Sequence, residues 1–153
     1  MGMAIAWRTA PPAVFNGDGP CVGEVHLAAR PESSATARGI TLEALESWGL
    51  LKSHGEVAEQ LVGELVANAV RHTGGRFLVL SLSRRLGWLR MEVRDPSRAL
   101  PCLIKPEPVD EAGRGLFLVD QLSDRWGADL LQRGKGVWFE LRVREPRPRR
   151  ELP

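Results

Sequence analysis

Between residues 56 and 95 the apolar period of the chain changes once, and that change limits the folds open to it. From Glu56 to His72 the residues Val57, Leu61, Leu65, Val66, Ala69 and Val70 recur at helical spacing on one broad stripe. Gly74-Gly75 ends the stripe. Arg76 to Ser83 (RFLVLSLS) and Trp88 to Asp95 (WLRMEVRD) then read as strands, and the link from Arg84 to Gly87 is short enough for a hairpin. A helix and a strand pair with apolar faces must bury those faces against other elements, in layers.

The flanking segments extend this pattern. Cys21 to Ala29 (CVGEVHLAA) reads as a strand. Pro31 opens a helix with Glu32 in its first turn, Ala35, Ile40, Leu42, Leu45 and Trp48 continue it, and Gly49 stops it. Pro96 to Ala112 is a Pro-rich, acidic loop of a length usual for lids and binding loops. Gly113-Arg114-Gly115 leads into a helix from Leu116 to Leu122, and Val137 to Val143 is a last strand. The order β-α-α-β-β-loop-α-β predicts an α+β fold, a mixed or antiparallel sheet with helices on one face. Residues 1–20 are expected to form a loose leader, 21–144 one domain, and 145–153 a basic, Pro-rich tail.

Composition removes several classes. The 21 basic and 19 acidic side chains leave a net charge of +2, too small for the global field that draws a chain to nucleic acid. Cys21 and Cys102 form no CxxC, and no Cys/His cluster has zinc-ligand spacing. The sequence has no apolar run near 18 residues and no signal-peptide pattern, so a soluble, cytoplasmic protein with reduced thiols is expected. The five tryptophans read as packing residues, the Arg-rich tail as a solvated end, and His26 and His54 carry no visible constellation.

Three stretches carry chemistry. Glu64, Asn68 and then Arg71 or His72 lie at i, i+4 and i+7 or i+8, one face of a helix that is otherwise apolar. A carboxylate one turn from a carboxamide suits magnesium-phosphate work, the amide oxygen as a hard ligand and the carboxylate as a base. A solvated polar edge of the helix would read the same way. Asp95 closes a strand, where it can form a turn or accept an N–H from a base at a pocket floor. Gly113-Arg114-Gly115-Leu116 opens a helix whose first N–H groups can bind an anion, but it is neither a Walker loop nor a Rossmann fingerprint.

In this order, the three stretches resemble the GHKL (Bergerat-fold) ATP-binding superfamily, shared by gyrase-type ATPases, histidine kinases and anti-sigma-factor kinases. Glu64-Leu-Val-x-Asn68-Ala-Val-Arg-His72 is similar to its N box, Val93-Arg94-Asp95 to its G1 box and Gly113-Arg114-Gly115-Leu116 to its G2 box. The run from Gly113 to Gly127, closed by Val137-Trp138-Phe139-Glu140-Leu141, resembles the small anti-sigma-factor serine/threonine kinases. The resemblance spans about residues 22–143. It implies a two-layer α/β sandwich with a mixed, mostly antiparallel sheet and helices packed on one face.

The resemblance also implies roles. Asn68 would coordinate Mg2+ on the ATP phosphates, Glu64 would be the base, and Asp95 would read the adenine amine. Gly113, Arg114, Gly115 and Leu116 would hold the phosphates, with Arg71 and His72 on the phosphate side. Partners would be a sigma factor and a STAS-type anti-anti-sigma protein, with a homodimer as the assembly; Arg30 and Arg38 are partner-contact candidates. Two departures stand out. The G1 box continues Asp95-Pro96-Ser97 where Asp-x-Gly is usual, and Gly136 is expected at the place of a Thr near the adenine. Glu64 favours a kinase; the two departures favour an ATP-dependent switch that binds nucleotide and partner without phosphoryl transfer. A detached sensor-kinase catalytic domain is a third reading. It is disfavoured here because no dimerisation helix with a phosphoacceptor His is seen.

Overall fold

A computed structural model describes residues 21–73, 76–85, 87–96, 111–132 and 134–144, of which 21, 22 and 111–116 are described by backbone alone. The elements are β1 (Cys21–Ala28), α1 (Ser33–Ser47), α2 (Leu51–His72), β2 (Phe77–Arg85), β3 (Trp88–Asp95), α3 (Glu111–Leu122), β4 (Arg125–Leu131) and β5 (Gly134–Arg142). The strands form one sheet in the order β1-β2-β3-β5-β4. All four pairings among the described residues are antiparallel, which bears out the expected α+β fold with a mixed or antiparallel sheet and helices on one face. The leader, the tail and most of the expected lid lie outside the described residues.

Helices cover one face of the sheet. Along β2 and β3 burial alternates residue by residue, with Leu78, Leu80, Leu82, Leu89, Met91 and Val93 turned inward. They meet Leu61, Val62, Leu65 and Val66 of α2, and Phe139 and Leu141 of β5 continue the same core. Burying a side chain of this size contributes about 1.5–3 kcal/mol, so this α2 stripe and the strands lock one another in place. The other face is polar. Arg94 bridges Glu24 of β1 and Glu92 of β3, and Arg90 and Arg125 reach Glu140. Arg125 lies over the Trp88 ring at 3.5 Å and Arg90 over Trp138 at 4.2 Å. Burial works against the Arg94 charge, but hydrogen bonding and attraction from Glu24 and Glu92 raise its pKa above the ordinary value.

Local corrections have physical causes. α2 starts at Leu51, ahead of the expected Glu56, because Gly55 does not break it. A Cβ there would lie 3.1 Å from Leu51 Cδ1 and 3.5 Å from Leu42 Cδ2, so the glycine lets α1 approach. The same hairpin is fastened by Ser34 Oγ donating to Gly63 O at 2.9 Å. α1 ends as expected at Gly49, whose φ of 72° is left-handed. β4 was not expected: Arg125–Leu131 has three exposed residues, Arg125, Asp129 and Leu130, and little alternation, as suits an edge strand. Trp48, Trp88, Trp126 and Trp138 pack as expected, and Trp7 lies outside the described residues. Trp48 is buried, Trp88 and Trp138 take the arginine stacks, and Trp126 Nε1 donates to Asp120 Oδ1 at 2.8 Å. His54 is structural, within 2.9 Å of Arg142 O through Nε2. Arg30 and Arg38 are exposed at the start of α1.

Candidate functional site

α2 carries the polar stripe where the sequence places it. Glu64 is half-buried, Asn68 is buried, and Arg71 and His72 are exposed at the last turn. A rise of about 1.5 Å per residue sets Glu64 and Asn68 roughly 6 Å apart along one side of the helix. Among the described residues the Asn68 carboxamide makes no hydrogen bond, although the residue is only 4% exposed. A buried amide ordinarily finds a partner, so this one is suited to a ligand. Arg71 is turned along its own helix, its Nε 3.4 Å from Ala67 O.

The end of α2 is tied to the end of β3. Thr73, the residue that caps α2, donates its hydroxyl to Asp95 Oδ1 at 3.0 Å. The bond holds the Glu64–Asn68 stripe at a fixed offset from the carboxylate at the strand end. Asp95 is 3% exposed and its Oδ2 lies 3.5 Å from Lys135 Nζ. Lys135 is as deeply buried, at 2%.

This pair bears on one expectation. Gly136 was expected at the position near the base, but Asp95 pairs in register with Lys135, and Gly136 pairs with Arg94. Pleating puts Lys135 on the helix-covered side with Val137, Phe139 and Leu141, and Gly136 on the open side. A Cβ on Gly136 would lie 3.1 Å from the Glu92 carboxyl. Thr73 and Lys135 are the two site residues missed from the sequence. The signal for Lys135 was the period-two alternation of β5, legible only once the strand is started at Gly134 rather than Val137.

Gly134 brings the β4–β5 turn onto this corner. Its φ is 99°, and a Cβ on it would lie 2.0 Å from the Asp95 carbonyl oxygen. Only glycine allows that approach.

The glycine run sits differently from expectation. α3 begins at Glu111, so Gly113, Arg114, Gly115 and Leu116 lie inside the helix rather than ahead of it. Glu111 and Ala112 are good helix formers and extend it N-terminally. The backbone N–H groups of residues 111–114 have no partner within the helix, and that end of the dipole favours anions. α3 packs against α2, the helix that carries the stripe. The side chains of Arg114 and Leu116 lie outside the described residues.

Among the described residues no group of three or more His, Cys, Asp or Glu could hold a metal ion. A magnesium ion beside Asn68 would therefore draw most of its ligands from phosphate oxygens and water, as Mg2+ commonly does. A cavity of about 470 Å³ borders this corner, lined by Asp95 and Pro96 together with Arg76, Phe77, Val79, Arg94 and Leu131. Among the described residues no helix is long and apolar enough to cross a membrane.

Comparison with known proteins agrees with this layout. Residues 27–141 match the histidine kinase-like ATPase domain family. The chain is 33% identical over 131 residues to the Sensor protein DivL of Caulobacter vibrioides, an alignment covering 76% of this chain and 17% of the relative. The chain thus spans less than a fifth of that relative's length. The match takes in α2 with Glu64 and Asn68, the Thr73–Asp95–Lys135 corner and α3, so the chain belongs to the histidine kinase-like ATPase domain family.

Proposed function

We propose that the protein is an ATP-binding regulator that phosphorylates a serine or threonine of an anti-anti-sigma (STAS-type) partner and sequesters a sigma factor. The observation that carries the nucleotide part is the single rigid unit made by α2. Glu64 and Asn68 lie one turn apart on it, and Thr73 at its end is bonded to Asp95. The serine/threonine part rests on the half-exposed Glu64 carboxylate and on the likeness of the Gly113–Gly127 and Val137–Leu141 runs to small anti-sigma kinases.

The roles follow from the chemistry of the side chains. Asp95 accepts an N–H from the base, and the Thr73 hydroxyl fixes the carboxylate for it. The Asn68 oxygen would be the residue that holds a magnesium ion. Bound magnesium supplies charge neutralisation on the phosphate oxygens. The first N–H groups of α3 donate to the same oxygens. Glu64 takes the proton of the attacking hydroxyl as the oxygen bonds to the γ-phosphorus and ADP leaves.

A second reading is a catalytic domain working in a sensor kinase, favoured by the similarity to a sensor protein. A third is the switch that binds ATP and partner without transfer. Calorimetric titration with ATP, with and without Mg2+, tests the site; Asp95→Asn should abolish binding. Transfer of labelled γ-phosphate to a STAS protein, lost in Glu64→Gln, supports the kinase. Transfer to a histidine instead favours the sensor-kinase reading, and ATP binding with no transfer leaves the switch. A folded protein that does not bind millimolar Mg-ATP refutes all three.

A further inference from the structure

Asp95 stands where three elements meet. It ends β3, Thr73 at the end of α2 donates to its Oδ1 at 3.0 Å, and Lys135 of β5 brings Nζ within 3.5 Å of its Oδ2. A lysine is almost never fully buried unless it is paired. Lys135 is 2% exposed, on the side of the sheet where the next inward positions of β5 are Val137, Phe139 and Leu141. A buried ion pair is a poor stabiliser, because desolvation offsets much of the attraction, and an apolar residue would continue the stripe. Stability gives no reason for a lysine here; the task that the nucleotide reading gives to Asp95 does.

We propose that Lys135 is a positioning residue of the nucleotide site, which touches no ligand and acts by fixing the Asp95 carboxylate for an N–H of the base. The proposal rests on the nucleotide reading above. The terminal torsion of an aspartate is broad, so a carboxylate held at one oxygen can turn about its Cβ–Cγ bond. Held at Oδ1 from α2 and at Oδ2 from β5, it cannot turn without stretching one of the two contacts. A carboxylate has about four lone-pair positions, so these two anchors leave room for a donor from the base. The ammonium also compensates the charge of a side chain that is 3% exposed, where a charge without compensation is costly. Thr73 thus ties the base-reading group to the helix that carries Asn68, and Lys135 ties it to the neighbouring strand.

The test is calorimetric affinity for Mg-ATP and for the magnesium salt of purine riboside 5′-triphosphate, which has hydrogen in place of the 6-amino group. Their ratio reads the bond between the base and Asp95. Wild type should prefer ATP by tenfold or more (~1.4 kcal/mol). Lys135→Met should bring the two within about threefold (~0.7 kcal/mol), chiefly through lost ATP affinity. Lys135→Arg, which keeps the cation, should retain the preference. A variant that merely folds less well lowers both affinities by the same factor and leaves the ratio alone. A wild-type preference that persists unchanged in Lys135→Met overturns the proposal and spares the nucleotide reading. An equal loss in Lys135→Arg overturns it too, since the cation is then not what matters. If folded wild type binds neither nucleotide, or binds both equally, the reading of Asp95 as the base acceptor has failed and the proposal goes with it.

Discussion

Replacing Gly134 by Ala should be the most damaging single-methyl change in the sheet. The added Cβ would lie 2.0 Å from the Asp95 carbonyl oxygen and 2.8 Å from Pro96 Cα. Ordinary contact begins near 3.4 Å, so the chain must open by more than an ångström, and the obstructing atoms are backbone. A non-glycine residue at a φ of 99° adds strain of about 1–3 kcal/mol. Relieving the overlap by moving the strand ends loosens the β3–β5 pairing at Asp95 and Lys135. Overpacking of this kind costs about 1–3 kcal/mol more, so a loss of roughly 3 kcal/mol or above is expected. For a chain of this size that lowers Tm by about 10 °C. The assay is urea and thermal unfolding followed by circular dichroism. Gly39→Ala is the internal control: it lies within α1, nothing stands within 4 Å of its Cβ, and Ala there should stabilise by about 0.5–1 kcal/mol. A Gly134→Ala protein within 0.5 kcal/mol of wild type, a margin at the level of ordinary surface changes, would refute the reasoning about this corner.

Asn68→Ala should keep the fold, since its amide makes no hydrogen bond among the described residues, but remove magnesium-dependent ATP affinity; titration with and without Mg2+ checks this. Thr73→Val removes a hydrogen bond to a buried carboxylate and should destabilise by about 1.5–3 kcal/mol, with a matching loss of nucleotide affinity measured in the same titration. Leu61→Ala opens a cavity in the α2 stripe and should cost about 2–5 kcal/mol in chemical denaturation. Gly127→Ala places a Cβ 2.8 Å from Trp138 Cζ2, so it should displace the indole from Arg90 and change the tryptophan fluorescence.

Much of the fold was legible because each apolar face repeats at the period of its own element. The α2 stripe and the β2–β3 alternation located the core, and Glu64, Asn68 and Asp95 stood out as polar residues at apolar positions. What was missed lacks such contrast. β4 is an edge strand, half-exposed and without alternation. Gly55 reads as a helix breaker, and only the α1 neighbour across the hairpin explains it. The helical start of α3 was hidden because Gly113 and Gly115 suggest a loop, while Glu111 and Ala112 decide the outcome. Lys135 was passed over for Gly136 because the face on which a residue lies depends on strand register, which pairing with β3 sets.

The strand order has a consequence for how the protein comes into being. β2 and β3 are neighbours in sequence and pair early, as a local hairpin, and α1 and α2 form a second local unit. β5 reaches β3 only after α3 and β4 have been made, bringing the β4–β5 hairpin in as the last piece of the sheet. Glu64, Asn68, Thr73 and Asp95 all emerge from the ribosome before Lys135 and Gly134. The nascent chain thus holds a bare Asp95 carboxylate at a raw sheet edge until its final third arrives. Docking of that hairpin closes the edge and brings Lys135 to the Asp95 carboxylate in one event.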